Sequence, residues 1–143
     1  MSFDVTVTNT GDVADKDVVE VYYNPPYANG GIEKASANLI AFDKTDLLEP
    51  GDSQTLTISF CTEDMVSYDK YEHGCYVLEE GEYVIGINEN SHDIIDSQVY
   101  TVESAIVYDE GNARTGDDVA AVNQFSNADD GVDVFLSRAD GFA

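Results

Sequence analysis

Thr55-Leu56-Thr57-Ile58-Ser59-Phe60 alternates polar and apolar side chains without a break. That period of two is what a β-strand with one wet face and one buried face requires. The same alternation runs through Phe3, Val5 and Val7, through Val19, Val21 and Tyr23, and through Tyr83, Ile85 and Ile87. Further strands are expected over residues 35–42, over Cys75–Leu78 and over residues 98–105, the last with Tyr100 and Val102 on one face. Turn chemistry separates them: Asn9-Thr10-Gly11-Asp12, Asn24-Pro25-Pro26, Leu48-Glu49-Pro50-Gly51-Asp52 and Glu79-Glu80-Gly81. Glu63-Asp64-Met65-Val66 reads as a short helical turn, closed by Tyr68-Asp69. About seven short strands spaced in this way over residues 1–105 predict an all-β fold, an antiparallel β-sandwich. Val5, Val7, Val19, Val21, Leu56, Ile58, Phe60, Tyr83, Ile85 and Ile87 would fill it, each worth roughly 1.5–3 kcal/mol of burial before entropy.

Residues 106–143 read differently, as a linker or extension. Gly111–Gly116 is flexible in composition, and Asp117 or Asp118 is placed to cap a short helix bearing Val119, Val122 and Phe125. A turn over Ser126–Gly131 and an extended run over Val132–Leu136 follow. So few apolar side chains cannot make a core of their own.

Charge limits the partners. Twenty-nine Asp and Glu against six Lys and Arg leave a net of -23, which repels phosphate backbones and anionic membrane surfaces. Neither nucleic acid nor a membrane is therefore an expected partner, and no apolar run is long enough to be a span. Met1 opens directly into strand-like sequence with no signal peptide, which favours the cytoplasm and leaves an upstream leader open. The acids are spread over both parts: 21 against four Lys up to residue 105, eight against two Arg beyond it. Such a solvated shell repels itself, so the melting temperature is expected to rise between low salt and about 1 M NaCl. A flat or falling melting point across that range would contradict this.

The residues offer little chemistry. Cys61 and Cys75, with His73 and His92, lack zinc-site spacing, and a Cys61–Cys75 disulfide is open. The acids Glu79, Glu80 and Glu82 straddle a glycine turn and read as solvated, while Glu63 and Asp64 are explained by capping a helical turn. Ser126-Asn127-Ala128-Asp129-Asp130-Gly131 fails the calcium-loop pattern. No nucleophile elbow accompanies the two histidines, which read as exposed loop residues. Tyr22, Tyr27, Tyr68, Tyr71, Tyr76 and Tyr108 are the aromatic rings that sugar stacking would need, but scattered tyrosines are more often packing residues. No catalytic, cofactor-binding or metal-binding residue is assigned. The sharper local signature is structural: Leu78, Gly81 and Tyr83 are arranged as in a tyrosine corner, with the ring in the core and the hydroxyl on nearby backbone.

Read in order, these segments form a pattern. Val5–Ala14 with Asn9 and Gly11, then Asp17–Tyr22, resembles the opening of the fibronectin type III-like domain of glycoside hydrolase family 3 enzymes. Leu39–Phe42 is similar to that family's Leu-x-x-Phe strand, and Leu48–Ser53, with Pro50 and Gly51, to its Pro-Gly turn. Glu63–Asp69 and Glu80–Ile87 look like its Tyr-Asp segment and its final Gly-Glu-Tyr strand. Phe135-Leu136-Ser137-Arg138-Ala139-Asp140 resembles the joining segment of circularly permuted members. Cys61, Cys75, Glu79-Glu80 and the loop Tyr27–Gly31 depart from the pattern.

The resemblance implies a non-catalytic module bracing a catalytic barrel and an α/β sandwich domain of the same parent chain, a β-glucosidase or β-xylosidase. In a permuted parent the barrel follows Ala143 and the α/β domain precedes Met1. It maps no catalytic residue onto this chain and implies no cofactor. An independent carbohydrate- or protein-binding sandwich and a cell-surface spacer are the alternatives, and oligomeric state is open.

Overall fold

The computed structural model describes residues 1–124 and 136–141. Among the described residues nine strands form: β1 (Ser2–Thr8), β2 (Val18–Asn24), β3 (Asn38–Lys44), β4 (Ser53–Ser59), β5 (Ser67–Asp69), β6 (Cys75–Leu78), β7 (Gly81–Asn88), β8 (Ile94–Val102) and β9 (Ile106–Tyr108). One sheet runs β3-β2-β7-β8, a second pairs β1 with β4, and a third runs β5-β6-β9. Every pairing is antiparallel. Two 3-10 turns, at Thr62–Met65 and Arg138–Asp140, are the helical segments among the described residues.

All three sheets contribute to one core. Val19, Val21 and Tyr23 from β2 meet Tyr83 and Ile85 from β7, Leu56 and Ile58 from β4, and Val102 from β8. Val5 lies opposite Leu56 and Phe3 opposite Ile58, so the alternation in the two sequences locks their register: a slip by one residue would turn every apolar side chain to water. Six of the ten expected core residues are buried, while Val5, Val7, Phe60 and Ile87 are only half-buried. Val5 and Val7 sit on β1, which among the described strands pairs with β4 alone, and Phe60 and Ile87 pack against the core from its margin.

The remaining core positions come from segments with weak periodicity. Met65, at the end of the first 3-10 turn, is wholly buried, and Leu48, Cys75, Val77, Leu78 and Tyr108 join it. Strand β8 begins at Ile94, earlier than the alternation at residues 98–105 suggests, because β7 pairs with it along its length from Gly81↔Val102 to Asn88↔Ile94. Strand β9 lies inside the stretch read as an extension, yet Val107 pairs with Val77 in the body.

The expected helix after residue 116 does not form among the described residues, where 117–124 is turn and coil. The Asp117 carboxylate is taken by the Arg114 guanidinium at 2.8 and 3.1 Å instead of by backbone N–H groups. Val119 and Val122 are 77% and 59% exposed, so no packed face repays the nucleation of so short a helix. Phe125, the Ser126–Gly131 turn and most of the Val132–Leu136 run lie outside the described residues.

Candidate functional site

Tyr83 organises the turn before β7. Its ring is 1% exposed and tilts against Tyr23 at 6.4 Å between centroids, while its hydroxyl donates to the Glu79 carbonyl at 3.2 Å. Burial pushes the Tyr83 phenol up to about 12. Gly81 carries φ +135°, and a Cβ there would stand 2.9 Å from Pro26 Cβ, so both the backbone and the neighbouring loop require glycine. Leu78 closes the same corner from the buried side. Glu79 is not the solvated acid its turn position suggests: it pairs with Lys34, whose side chain is 6% exposed. Desolvation, with the nearby Arg138 charge, holds the Lys34 ammonium down at about 8.

Two turns distant in sequence are sewn together around Asn9. The Asn9 side chain accepts from the Gly11 amide at 2.9 Å and donates to the carbonyls of Val13 and Leu48. The Gly51 amide donates to the Asn9 carbonyl at 2.8 Å, in the turn that Pro50 introduces and whose φ of +88° suits glycine.

Residues 137–141 lie along the loop after β2. Glu33 receives the Ser137 hydroxyl at 2.8 Å, the Tyr27 hydroxyl at 3.0 Å and the Arg138 amide at 3.0 Å. The Arg138 guanidinium stacks 4.8 Å over the Tyr27 ring and donates to Asn24 Oδ1 at 3.1 Å. These hydrogen bonds, first that from the Arg138 amide, hold the Glu33 carboxyl below its usual range. A folded value depressed in this way favours the latch above the ordinary carboxylate range and weakens it as pH falls through the lowered value. Glu33→Ala is expected to speed tryptic cleavage after Arg138 about tenfold, because local opening there becomes easier. Cleavage at an unchanged rate, mapped by mass spectrometry, would contradict the latch.

Glu63, expected to serve its helical turn, reaches out of it: its carboxylate accepts from Thr115 N at 2.9 Å and Thr115 Oγ1 at 3.2 Å. The turn has no side-chain cap. Cys61 and Cys75 are free thiols, the first exposed and the second buried. Burial is the first of the causes that push the Cys75 thiol up.

Asp69, Glu72 and His73 bring three ligand-type atoms within 4.8 Å of one another. The geometry is that of a capped turn. Asp69 Oδ1 accepts from the Tyr71 and Glu72 amides, and Oδ2 from the His73 amide and ring Nδ1, the last at 2.7 Å. Burial raises the Asp69 carboxyl, but the His73 ring and the three amides outweigh it and hold the group down at about 2. With both oxygens engaged, the cluster has a structural account that needs no ion.

The tyrosines do not assemble into a stacking platform. Tyr108 is buried, Tyr68 and Tyr76 pack edge to face at 5.5 Å, Tyr76 also lies under Arg114, and Tyr27 is covered by Arg138. Tyr71 is exposed, and Tyr22 borders an open pocket on the four-stranded sheet. On the open side of the sandwich a groove of about 410 Å³ separates the start of β1 from β8, lined by Phe3, Ile85, Ile87, Val99 and Tyr100.

The family described as a fibronectin type III-like domain matches residues 17–91. Beta-glucosidase A of Butyrivibrio fibrisolvens is 45% identical over 82 residues, which are 55% of this chain and 10% of that enzyme. The exo-1,4-beta-xylosidase xlnD of Emericella nidulans is 30% identical over 86% of this chain and 15% of its own length. Beta-glucosidase 3B from Thermotoga neapolitana, solved with α-D-glucose, superposes with a TM-score of 0.66 at 30% identity, covering 75% of this chain and 14% of that one. The chain thus spans between 10% and 15% of the length of these relatives.

Proposed function

Because the chain belongs to the fibronectin type III-like domain family, we propose that it is the accessory module of a family 3 glycoside hydrolase, bracing that enzyme's catalytic domains. The parent is an O-glycosyl hydrolase of the β-glucosidase or β-xylosidase type. Coverage carries this reading: a sandwich of this size matches long glycosidases over a small part of each. The side chains support it. Glu33, Glu63, Asp69 and Glu79 are engaged with the fold's own groups. Meanwhile apolar surface is left uncovered where a neighbour would bury it: Leu39 and Phe42 on β3, Ile95 and Val99 on β8. Exposed apolar groups on two edge strands suit a docking face better than a free surface.

The neighbours under this reading are a barrel and an α/β sandwich domain of the same chain. Incubating the isolated chain with aryl β-glucoside and aryl β-xyloside is expected to give no turnover above buffer. Turnover that survives repurification would overturn the accessory role. In the full-length parent, Phe42→Asp is expected to lower the thermal midpoint of the catalytic activity while leaving KM unchanged.

A further inference from the structure

The outer face of the four-stranded sheet carries a pocket of about 250 Å³ bounded by β2, β7 and the β7–β8 hairpin. Tyr22, Asn24, Ser36, Ser91 and His92 line it, with Gly86 and Asn88 from β7. One residue in five of this chain is Asp or Glu, yet no Asp, Glu, Lys or Arg lines the pocket. A surface so acidic elsewhere leaves here a cluster of amides, hydroxyls and the His92 imidazole beside an aromatic ring and the apolar side chains of Val84 and Ile94.

Three features point to a space that the fold keeps open. Gly86 sits inside β7, opposite Tyr22 and Ser97, where glycine weakens a strand and often marks close approach of a ligand or another backbone. A Cβ at that position would stand 2.6 Å from Asn88 Oδ1. Asn88 is 4% exposed, and its Oδ1 has no hydrogen-bond partner. Amide oxygens so buried are rarely left unpaired without a reason. Both ladder irregularities of the sheet fall at this site, between Val21 and Tyr22 and between Ile87 and Asn88; bulges of this kind re-aim side chains.

The walls are fixed in advance. Asn38 donates to the Tyr23 and Ala35 carbonyls, holding the loop that carries Ser36. Asn90 Oδ1 accepts from the His92 and Asp93 amides, holding the hairpin. The Tyr22 hydroxyl is engaged by Glu20 at 3.0 Å, which pins the ring.

We propose that this pocket binds one ring of a neutral saccharide. An anion is excluded by the surrounding charge, and a metal cation finds no carboxylate. A neutral sugar offers hydroxyls to Asn88, Ser91 and His92 and a C–H face to Tyr22 and Ile94. The proposal stands on the pocket alone, so turnover by the isolated chain would overturn the accessory role without touching it.

The test is titration of the full chain with glucose, xylose and cellobiose, followed by amide shifts in 1H–15N spectra. Saturable shifts confined to the amides of residues 22–24, 36–37, 84–88 and 91–94 are expected, with a dissociation constant of about 1–10 mM, as befits a shallow one-ring site. Ser91→Ala combined with His92→Ala, both on the exposed hairpin, should weaken binding at least about fivefold at an unchanged melting point, since both side chains that would hydrogen-bond the sugar there are removed. Gly86→Ala should abolish binding; if that variant unfolds, the hairpin double variant decides. Absent shifts at about 100 mM sugar, far above the expected constant, would overturn the proposal, as would shifts elsewhere or shifts unchanged in the double variant. Acetamide, a neutral amide, acting at the same residues as tightly as glucose would reassign the pocket to a peptide side chain and overturn it too.

Discussion

Replacing Tyr83 with Ala is expected to cost about 3–5 kcal/mol, the range for emptying an aromatic site in a packed core. Domains of this size are stable by only about 5–15 kcal/mol, so the variant should be largely unfolded at moderate urea. The size of the effect follows from position. Tyr83 is among the largest fully buried side chains, and it lies in the core cluster with Val21, Tyr23 and Leu78. Tyr83→Phe separates the two roles of the side chain. It keeps the ring and removes only the 3.2 Å bond to the Glu79 carbonyl, a loss of about 1 kcal/mol. The urea midpoints of the three proteins check this ordering. If Tyr83→Phe were as damaging as Tyr83→Ala, the hydroxyl and not the ring would be holding the corner.

Asp69→Ala comes next, at about 1–3 kcal/mol, because it removes the buried acceptor of the Tyr71, Glu72 and His73 amides. The same carboxylate gives the fold a pH dependence with a definite sign. Its folded value, about 2, lies below the ordinary one. Its stabilisation is therefore complete above the unfolded value near ~3.9 and fades as pH falls from there toward 2. Asp69→Asn removes the titration at nearly constant shape. The variant should be less stable than the parent at pH 7, and the two should converge between about pH 4 and pH 2. Denaturant midpoints at pH 7, 4 and 2.5 are the measurement, and parallel curves for the two proteins would show that Asp69 is not the group responsible.

These two residues differ in how far the sequence announced them. Tyr83 sits in Gly-Glu-Tyr at the head of an alternating strand, and both its burial and its turn can be read from that order. Asp69 is visible in sequence as the end of a link and of a Tyr-Asp segment, with no sign of what it holds. The four hydrogen bonds that define its role depend on residues 70–74 folding back over it, and no periodicity records that. The same holds for Glu79, which a glycine turn should leave in water but which Lys34 covers. Glu63, in turn, reaches across 52 residues to Thr115. The pocket at Gly86 and Asn88 belongs to the second group as well. In sequence Gly86 is an unremarkable member of a strand, and its meaning appears only when Tyr22 and the hairpin are brought around it.

Sequence alone determined what is local and repetitive. A period of two, punctuated by Asn, Gly and Pro at turns, specifies strands, their inner faces and hence the sandwich, because each residue's burial follows from its own neighbours two positions away. Tertiary structure alone decided where the charges go. Glu33 meets Arg138 across 105 residues. In a chain with 29 acids nothing in the order of residues distinguishes the carboxylate that will be engaged from those that stay in water. An apolar side chain is driven toward the core by its own chemistry, whereas a carboxylate's role depends on which donor the fold delivers to it.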